Sequence, residues 1–502
     1  MAAMDKPRAG CAGGRKMNLA DAISKACSAR ALLVVAAVVW LAAIASVGFD
    51  GRGHFLFRSI LSVFALVLLF KTLRGPAATA ILSPVVALAL ISFFFFSLLP
   101  AASLEWPDVL QRSPDMLATA KVYVGARGEL IVLQTSAMFF TLWAGLLVYF
   151  ERRPVDGKPP PLPENLAPWA TVVAIVLIFG SGLYLLSIVI SPTIAEYSRT
   201  GIGTQIRHAV QPLISIAVAT LVYLAAARRG IHRVIAPVAT VIAVGGLVPT
   251  ASAKSAVFIS ISCLLLYAVT ARVSLRNYVG VFGLMAALLI GGVVVLQLIR
   301  TPEVVNPNKN IQQNLVRIAD AIKGKLVWRQ NTTGMCFQNA VKTHFDEPAR
   351  KNPFYFAFAV VPRVFWPGKP SLSRGTEFAD IYCGFRRDPS VSNDQSVTLV
   401  GEPIIEAGAV GLATAQAFLA VVLMAVTVVF LRNRPTGHVA MAALLPWLVD
   451  FDQNFSMYVA NAAKMFLIML PLLAILLFLD RKYGREASAA SGGQTLSPGI
   501  MR

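Results

Sequence analysis

The chain of 502 residues is 56% hydrophobic and only 14% charged, with a mean hydropathy of +0.67. Soluble domains carry about 25% charged residues, so the composition excludes an ordinary soluble fold and indicates a lipid bilayer as the main surroundings. The net charge of +20 would suit a nucleic-acid partner, but the basic residues of the short connections concentrate on one side of the apolar runs. That is the orientation signal of membrane proteins, and it argues against nucleic acid.

The first 30 residues are polar and basic and predict a cytoplasmic segment without a cleavable signal peptide. Beyond them, apolar runs recur that are long enough for a helix of about 20 residues to cross the bilayer. We therefore predict an all-α fold: a polytopic transmembrane helix bundle of about twelve spans with one large periplasmic loop containing short helices. The predicted spans are 31–48, 54–71, 76–102, 129–150, 169–191, 209–227, 234–251, 255–271, 279–299, 408–431, 439–451 and 457–479.

An even number of spans places both termini on the same side of the membrane, here the cytoplasm. Nine spans occupy 31–299, and three occupy 408–479. Between them lies the predicted periplasmic loop, 300–407. The polar residues 480–502, rich in small side chains, predict a disordered cytoplasmic tail.

The large loop divides into two halves of different character. Its first half has apolar residues at helical spacing from Leu315 to Leu326, which predicts one or two amphipathic helices. Its second half carries three prolines between 362 and 370, which exclude one long helix. The loop also holds Cys336 and Cys383, which can form a disulfide in an oxidising periplasm; the alternative is two unpaired buried thiols.

Cations concentrate in the segment VPRVFWPGKPSLSRG, residues 361–375. Arg363, Lys369 and Arg374 lie within twelve positions on a proline-braced backbone beside Trp366. Fixed cations at a membrane surface suit a phosphate group, since arginine offers a planar fork and lysine a point charge. The alternative is a basic loop that only meets phospholipid headgroups.

Carboxylates follow in the segment GEPIIEAGAVG, just before the predicted tenth span. Glu402 is the candidate for a catalytic base or a ligand of a substrate hydroxyl. Glu406 is expected in the first turn of the next helix, where an acidic residue stabilises the helix dipole. Gly408 and Gly411 would let that helix begin there or let a partner approach it closely.

Together these segments resemble the Wzy-type O-antigen polymerases, which join oligosaccharide repeat units in bacterial envelopes. The similarity lies in the run Pro362-Arg363-Val364-Phe365-Trp366-Pro367-Gly368-Lys369-Pro370, followed by Glu402, Gly408 and Gly411. The predicted topology, with a large loop late in the chain, is similar as well. This chain departs from the family pattern after Glu402, where Pro403-Ile404-Ile405 replaces an aromatic-containing run.

The resemblance implies a multi-pass glycosyltransferase of the bacterial inner membrane, working at the periplasmic face. The sequence has no His/Cys cluster with metal-ligand spacing, and Asp50 is the only acidic residue of the first outward loop, so we expect the transfer to use no metal or cofactor. The enzyme would polymerise undecaprenyl-diphosphate-linked oligosaccharide repeat units into O-antigen, capsule or exopolysaccharide. A chain-length regulator and a flippase of the same pathway would be its protein partners. The predicted catalytic residues are Glu402, Arg363, Asp452 and Asp450. The predicted diphosphate-binding residues are Arg363, Lys369, Arg374, Arg300, Arg199, Arg207, Lys254 and Trp366.

Two alternative functions stay open. An O-antigen ligase, which transfers the glycan to lipid A–core, is similar in having a functional histidine in its large loop; His344 is the histidine of this loop. A polysaccharide flippase or transporter predicts polar residues in the middle of the spans, where Arg58 is the main exception to an apolar pattern. Asp452 has an ordinary structural explanation too, as the partner of Lys464 in an ion pair.

Overall fold

The structure, a computed structural model, describes most of the predicted spans and much of the large loop. The described ranges are 28–48, 53–74, 78–107, 114–152, 167–190, 202–227, 253–271, 310–361, 374–384, 395–432 and 436–492, with a few single positions between 271 and 310 and between 361 and 374. Regular secondary structure in these ranges is helical throughout, without a strand. The predicted all-α class is therefore confirmed for the described residues.

Thirteen α-helices form the described part of the chain. They are α1 (Ala29–Gly48), α2 (His54–Arg74), α3 (Pro84–Glu105), α4 (Pro114–Tyr123), α5 (Arg127–Arg152), α6 (Ala167–Ile190), α7 (Ile202–Ala227), α8 (Ala253–Thr270), α9 (Ile311–His344), α10 (Gly375–Cys383), α11 (Thr398–Arg432), α12 (Thr436–Leu448) and α13 (Phe455–Gly492). Helix α3 contains a π-helical turn at Phe94–Leu98. Two 3₁₀ helices, Ala78–Leu82 and Tyr355–Val360, complete the set.

Six of these helices, α1, α2, α3, α5, α11 and α13, are long and apolar enough to cross a membrane. Shorter apolar stretches lie in α6, α7, α8 and α12. The described part of the chain is therefore all-helical, and its long apolar helices indicate a membrane protein. The count of about twelve spans stays a prediction. The predicted span at 234–251 lies outside the described residues, and that at 279–299 lies almost wholly outside them.

Helix α5 lies at the centre of the packing and contacts α1, α2, α3, α9 and α11. Its side chains are mostly buried, and its polar ones are paired across helices, because an unpaired polar group is costly away from water. Trp143 Nε1 donates to Thr72 Oγ1 at 2.9 Å. Gln134 of α5 and Gln416 of α11 exchange amide hydrogen bonds of 2.9 and 2.8 Å.

The first half of the large loop forms a single helix, α9, where the sequence predicts one or two. Asn310 begins it, since its Oδ1 accepts the Gln313 amide at 2.8 Å. Near the other end Cys336 is joined by a disulfide to Cys383 of α10, with the two Cα atoms 4.6 Å apart. The disulfide lies in a small apolar cluster with Phe378 of α10 and with Ile405 of α11. It therefore holds α10 and the start of α11 against α9.

Between 346 and 397 the described residues of the loop contain only the 3₁₀ helix Tyr355–Val360 and the nine-residue α10, which agrees with the prediction from the three prolines. At the other end of the sequence, α13 continues to Gly492. The first part of the predicted disordered tail, 480–492, is therefore helical. Its alanine, glutamate and arginine residues are good helix formers. Residues 493–502 lie outside the described part of the chain.

Candidate functional site

Helix α11 is broken at Ala407 and Gly408, at the boundary the sequence predicts between the large loop and the tenth span. Gly408 has φ +61° and ψ −141°, a left-handed conformation that favours glycine. A Cβ there would lie 2.6 Å from the backbone oxygen of Phe345. A Cβ on Gly411 would lie 2.0 Å from the backbone oxygen of Pro403. Gly408 and Gly411 are therefore both required by the break.

The segment that follows α9 satisfies the backbone groups freed by the break. The amides of Ala349 and Arg350 donate to the carbonyl oxygens of Ile405 and Glu406, at 2.9 and 3.3 Å. Glu406 thus ends a short helix that begins at Thr398. The expectation that Glu406 lies in the first turn of the following span is wrong, because the chain becomes helical ten positions before Gly408 and Glu406 lies before the break.

Glu402 lies in this short helix and is 1% exposed. Its Oε2 accepts the amide of Ser456 at 2.8 Å, and its Oε1 accepts the Ser456 hydroxyl at 3.1 Å. Ser456 is the second residue of α13, so the carboxylate binds at the positive end of that helix dipole. The amide of Leu399 also donates to the carbonyl of Phe451 at 2.9 Å. Glu402 therefore joins the start of α11 to the start of α13.

Arg374, which belongs to the predicted cation segment, contacts Glu406 of the segment GEPIIEAGAVG. Its Nη1 donates to Glu406 Oε1, while its Nε and Nη2 donate to the two carboxylate oxygens of Glu377 at 2.9 and 2.8 Å. These hydrogen bonds, the one to Glu377 first, raise the pKa of Arg374. The hydrogen bond from Arg374 in turn lowers the pKa of Glu377. Arg374 therefore carries a permanent charge held between two carboxylates.

One carboxylate oxygen of Glu406 can still accept a hydrogen bond. Its Oε2 is buried and accepts no hydrogen bond among the described residues. The Nε atom of Arg350 lies 3.7 Å from this oxygen, and the side chain of Arg350 is 64% exposed. A buried carboxylate oxygen without a hydrogen bond is costly. It is therefore the position in this region where a substrate hydroxyl or a water would be most readily accepted.

Tyr355 adds a neutral hydroxyl to the same region. Its side chain is buried, and burial, together with the carboxylates of Glu402 and Glu406, raises the pKa of the hydroxyl well above its ordinary value. We refer to this region as the Arg374 cluster. Its members are Arg350, Tyr355, Arg374, Glu377, Glu402, Glu406 and Ser456. The cluster combines proton acceptors, fixed cations and a hydroxyl donor, which are the groups that acid–base and anion-stabilising chemistry requires.

Lys369 and Trp366, both predicted to bind the diphosphate, differ in exposure. The Lys369 ammonium is buried and donates to the carbonyl oxygens of Ala359 and Val361, at 2.8 and 2.7 Å. It thereby holds the end of the 3₁₀ helix Tyr355–Val360. Its role as a phosphate ligand stays a prediction that would require these bonds to exchange. Trp366 is 42% exposed and lies beside Phe365, which is 80% exposed.

Asp450 and Asp452 lie in the turn between α12 and α13. Asp452 Oδ2 accepts Arg329 Nε of α9 at 2.8 Å. Arg329, and not Lys464, is therefore the partner of Asp452 that the structure gives. The same turn contacts the start of α11, where Ser396 donates to Asn454 Oδ1 at 3.1 Å. The two aspartates thus lie in a turn that contacts the start of α11, but they are not members of the Arg374 cluster.

The remaining predicted cations are not tested by these contacts. Arg363, Arg300 and Arg199 lie outside the described residues. Arg207 in α7 and Lys254 in α8 are described as helical backbone only.

His344, the loop histidine, is held by two hydrogen bonds. Its Nδ1 donates to the carbonyl of Glu347 at 3.2 Å, which leaves Nε2 to accept the Tyr382 hydroxyl at 2.8 Å. Both ring nitrogens are therefore engaged within the protein.

Several members of the cluster were not singled out by sequence reasoning. Glu377 carries a local signal, since it follows Arg374 by three positions on a helix. Arg350, Tyr355 and Ser456 carry none, because each reaches the cluster through the tertiary fold.

No family model matches the sequence, and neither the curated proteins nor the solved structures gave a match.

Proposed function

We propose that this protein is a membrane glycosyltransferase that polymerises undecaprenyl-diphosphate-linked oligosaccharide repeat units into a cell-surface polysaccharide. In this proposal the chain crosses the inner membrane about twelve times, keeps both termini in the cytoplasm, and places the Arg374 cluster at the periplasmic face. The observation that carries it is the contact between Arg374 and Glu406, four positions from the buried Glu402. Arg374 of the predicted phosphate-binding segment and Glu402 of the predicted carboxylates thus belong to one cluster.

The reaction would transfer a glycan from one lipid carrier to the sugar of another. The acceptor hydroxyl attacks the anomeric carbon of the donor sugar, the bond from that carbon to the diphosphate oxygen breaks, and the lipid diphosphate leaves with the electron pair. The hydroxyl proton passes to a carboxylate, for which Glu402 and Glu406 are the candidates. The unbonded Oε2 of Glu406 suits this acceptor role.

Cations would stabilise the charge on the leaving diphosphate. Arg374 is already engaged with two carboxylates, so it would also orient Glu406. Arg350 is mostly exposed and 3.7 Å from Glu406, so a diphosphate can reach it without breaking the Arg374 pairs. Arg363, outside the described residues, stays a predicted ligand of the same charge.

The alternatives find less support. A ligase would use the loop histidine, but both nitrogens of His344 are engaged by Glu347 and Tyr382. A transporter would place ionisable groups midway along the spans. Arg58 pairs with Glu129, yet these residues are the fifth of α2 and the third of α5, near one end of each helix.

Deletion of the gene, followed by silver-stained gels of the surface glycan, tests the proposed function. We expect the ladder of polymer lengths to disappear while one repeat unit stays attached to the acceptor, because single units still cross the membrane. Acceptor without any added sugar would contradict the polymerase and favour the ligase or the flippase.

Arg350→Gln tests the site within that function. The side chain is exposed, so we expect the protein level to be normal and the polymer yield to fall about tenfold or more, as for loss of one charge-stabilising donor. Arg317→Gln, on a partly exposed part of α9, is the matched control and should keep the full ladder. Full-length polymer at wild-type yield from Arg350→Gln would remove this residue from the site.

A further inference from the structure

A cavity of about 390 Å³ opens where the first residues of α2 and α5 meet the last turns of α9. Its volume lies in the range of ligand pockets in other proteins. The described residues that line it are His54, Gly125, Ala126, Arg127, Leu130, Gln338, Val341 and Lys342. None of them is acidic, and three carry basic side chains.

Gln338 presents a hydrogen-bond donor to this cavity. Its side chain is only 7% exposed, and its Oε1 accepts the amide of Gly128 at 2.6 Å. With the oxygen so engaged, the amide NH₂ group is left without a partner among the described residues. This NH₂ group can therefore donate a hydrogen bond to a ligand in the cavity.

Arg127 and Lys342 add further hydrogen-bond donors to the cavity. Arg127 Nε is buried and makes no hydrogen bond within the described chain. The Lys342 side chain is exposed, and no described carboxylate pairs with its ammonium. His54 Nε2 donates to the carbonyl of Ala126 at 3.1 Å, which fixes the ring at the cavity wall.

The carboxylates near the cavity already have hydrogen-bond or ion-pair partners within the protein. Asp346 accepts Arg127 Nη1 at 2.9 Å, but its side chain is 76% exposed and can move into solvent. Glu129 is fully buried and accepts from Arg58 at 3.2 Å, from Ser97 at 3.0 Å, and from the amide of Gly125 at 2.7 Å. Its negative charge is therefore balanced by Arg58, and its hydrogen bonds hold the wall of the cavity.

The same contacts fix the shape of the site before a ligand arrives. The turn from Tyr123 to Arg127 includes Gly125 at φ +81°, and Glu129 binds this turn through the Gly125 amide. Tyr123 donates its hydroxyl to the carbonyl of Phe96 at 2.6 Å. A pocket whose donors are already positioned loses less free energy on ordering when a ligand binds.

We propose that this cavity binds a phosphate group carried by a lipid. An oxyanion with several oxygens can accept from Gln338, Arg127 and Lys342 together. Phe55 and Leu56, which follow His54, are 73% and 61% exposed on an apolar helix, so the cavity lies beside a surface suited to acyl chains. The proposal rests on the cavity alone and does not depend on the glycosyltransferase function.

Calorimetric titration of the full-length protein in a neutral detergent tests this site. The probes are dihexanoyl phosphatidic acid, dihexanoyl glycerol with the same acyl chains but no phosphate, and inorganic diphosphate. We expect the phosphatidic acid to bind and the diacylglycerol not to bind. Lys342→Gln should weaken binding about tenfold, as for one charge-assisted hydrogen bond. Arg127→Gln should weaken it at least as much.

Lys121→Gln is the matched control, since it removes one exposed cation from α4 outside the cavity, and it should bind like the wild type. Binding of diphosphate with the same sensitivity to Lys342→Gln would support the phosphate chemistry and show that the acyl chains are not needed. Absence of binding by both phosphate probes would overturn the proposal. Equal binding by the wild type and by Lys342→Gln would overturn it as well.

Discussion

Arg58 and Glu129 form one buried ion pair of the described chain, and Arg374 and Glu406 form another. In each pair the arginine is mostly buried, at 14% and 18% exposure, and the glutamate is almost completely so. In the first pair both carboxylate oxygens are hydrogen-bonded, by Arg58 and Ser97 on one side and by Gly125 on the other. In the second pair Glu406 Oε2 has no hydrogen bond.

This difference separates a structural pair from a candidate functional one. A buried ion pair is tolerated when its remaining hydrogen-bonding groups are satisfied, and Glu129 meets that condition within the protein. Glu406 does not meet it, and it lies beside a helix break and an exposed arginine, Arg350. We therefore expect the first pair to determine stability and the second to determine activity.

The largest effect should come from breaking the first pair. Arg58→Met leaves the buried Glu129 carboxylate without its cation, and we expect the free energy of unfolding to fall by about 3–5 kcal/mol. Unfolding in detergent measures this, and the double variant Arg58→Met, Glu129→Leu should be less destabilised than the single one. Arg152→Met, at the exposed end of α5, is the control. A single variant as stable as the wild type would make this pair unimportant for stability.

A smaller effect is expected from the disulfide that positions the second pair. Cys336 and Cys383 enclose a sequence separation of 47 and hold α10, whose first residue follows Arg374, against α9. Replacing both with alanine should cost about 2–4 kcal/mol of unfolding free energy. A reductant should lower the unfolding temperature of the wild type but not of this variant. If reductant acts equally on both, the disulfide does not stabilise the cluster.

The helix break that positions Glu406 gives the third prediction. Gly411→Ala would place a Cβ 2.0 Å from the carbonyl of Pro403, so the backbone must shift, and we expect a loss of about 1–3 kcal/mol. Gly182→Ala is the matched control, because a Cβ at Gly182 meets no atom within 4 Å. Equal unfolding temperatures for the two variants would show that the break does not need glycine at 411.

The smallest expected effect on stability comes from Glu377, the second partner of Arg374. The hydrogen bond from Arg374 lowers the pKa of Glu377 below its ordinary value of 4.5, so the pair stabilises the folded state above that pH. The stabilisation should be lost as the pH falls through the lowered pKa. Because Glu377 is 47% exposed, its contribution is below about 1 kcal/mol. Wild type and Glu377→Gln should therefore differ slightly in unfolding temperature at pH 7 and converge in acid. A constant difference at every pH would contradict this.

The sequence predicts the parts of this molecule that depend on local patterns. Apolar runs predict the spanning helices, since a span must bury its length in lipid. The prolines between 362 and 370 predict that the second half of the loop is not one helix. The two loop cysteines are joined, and Arg374 and the Glu402–Glu406 segment belong to one cluster.

Local sequence patterns cannot predict contacts between segments that are distant in the chain. Arg350 reaches Glu406, and Ser456 reaches Glu402, only because the chain folds back on itself. Glu406 ends a helix instead of starting one, since the backbone amides of 349 and 350 stabilise the break. Lys369 looks like an exposed cation in the sequence, yet its ammonium is buried on two carbonyl groups. In each case a tertiary partner decides the role of the side chain.

Glu406→Gln tests the central claim most directly, because it keeps an oxygen to accept from Arg374 and replaces Oε2, the oxygen without a hydrogen bond, by a group that cannot take up a proton. The measurement is the polymer ladder on a silver-stained glycan gel, normalised to the amount of folded protein, in a deletion strain that carries the variant. Glu347→Gln, an exposed carboxylate of the same loop, is the control. The account predicts that Glu406→Gln gives single repeat units without a ladder and that Glu347→Gln gives the full ladder. A full ladder from Glu406→Gln would contradict it.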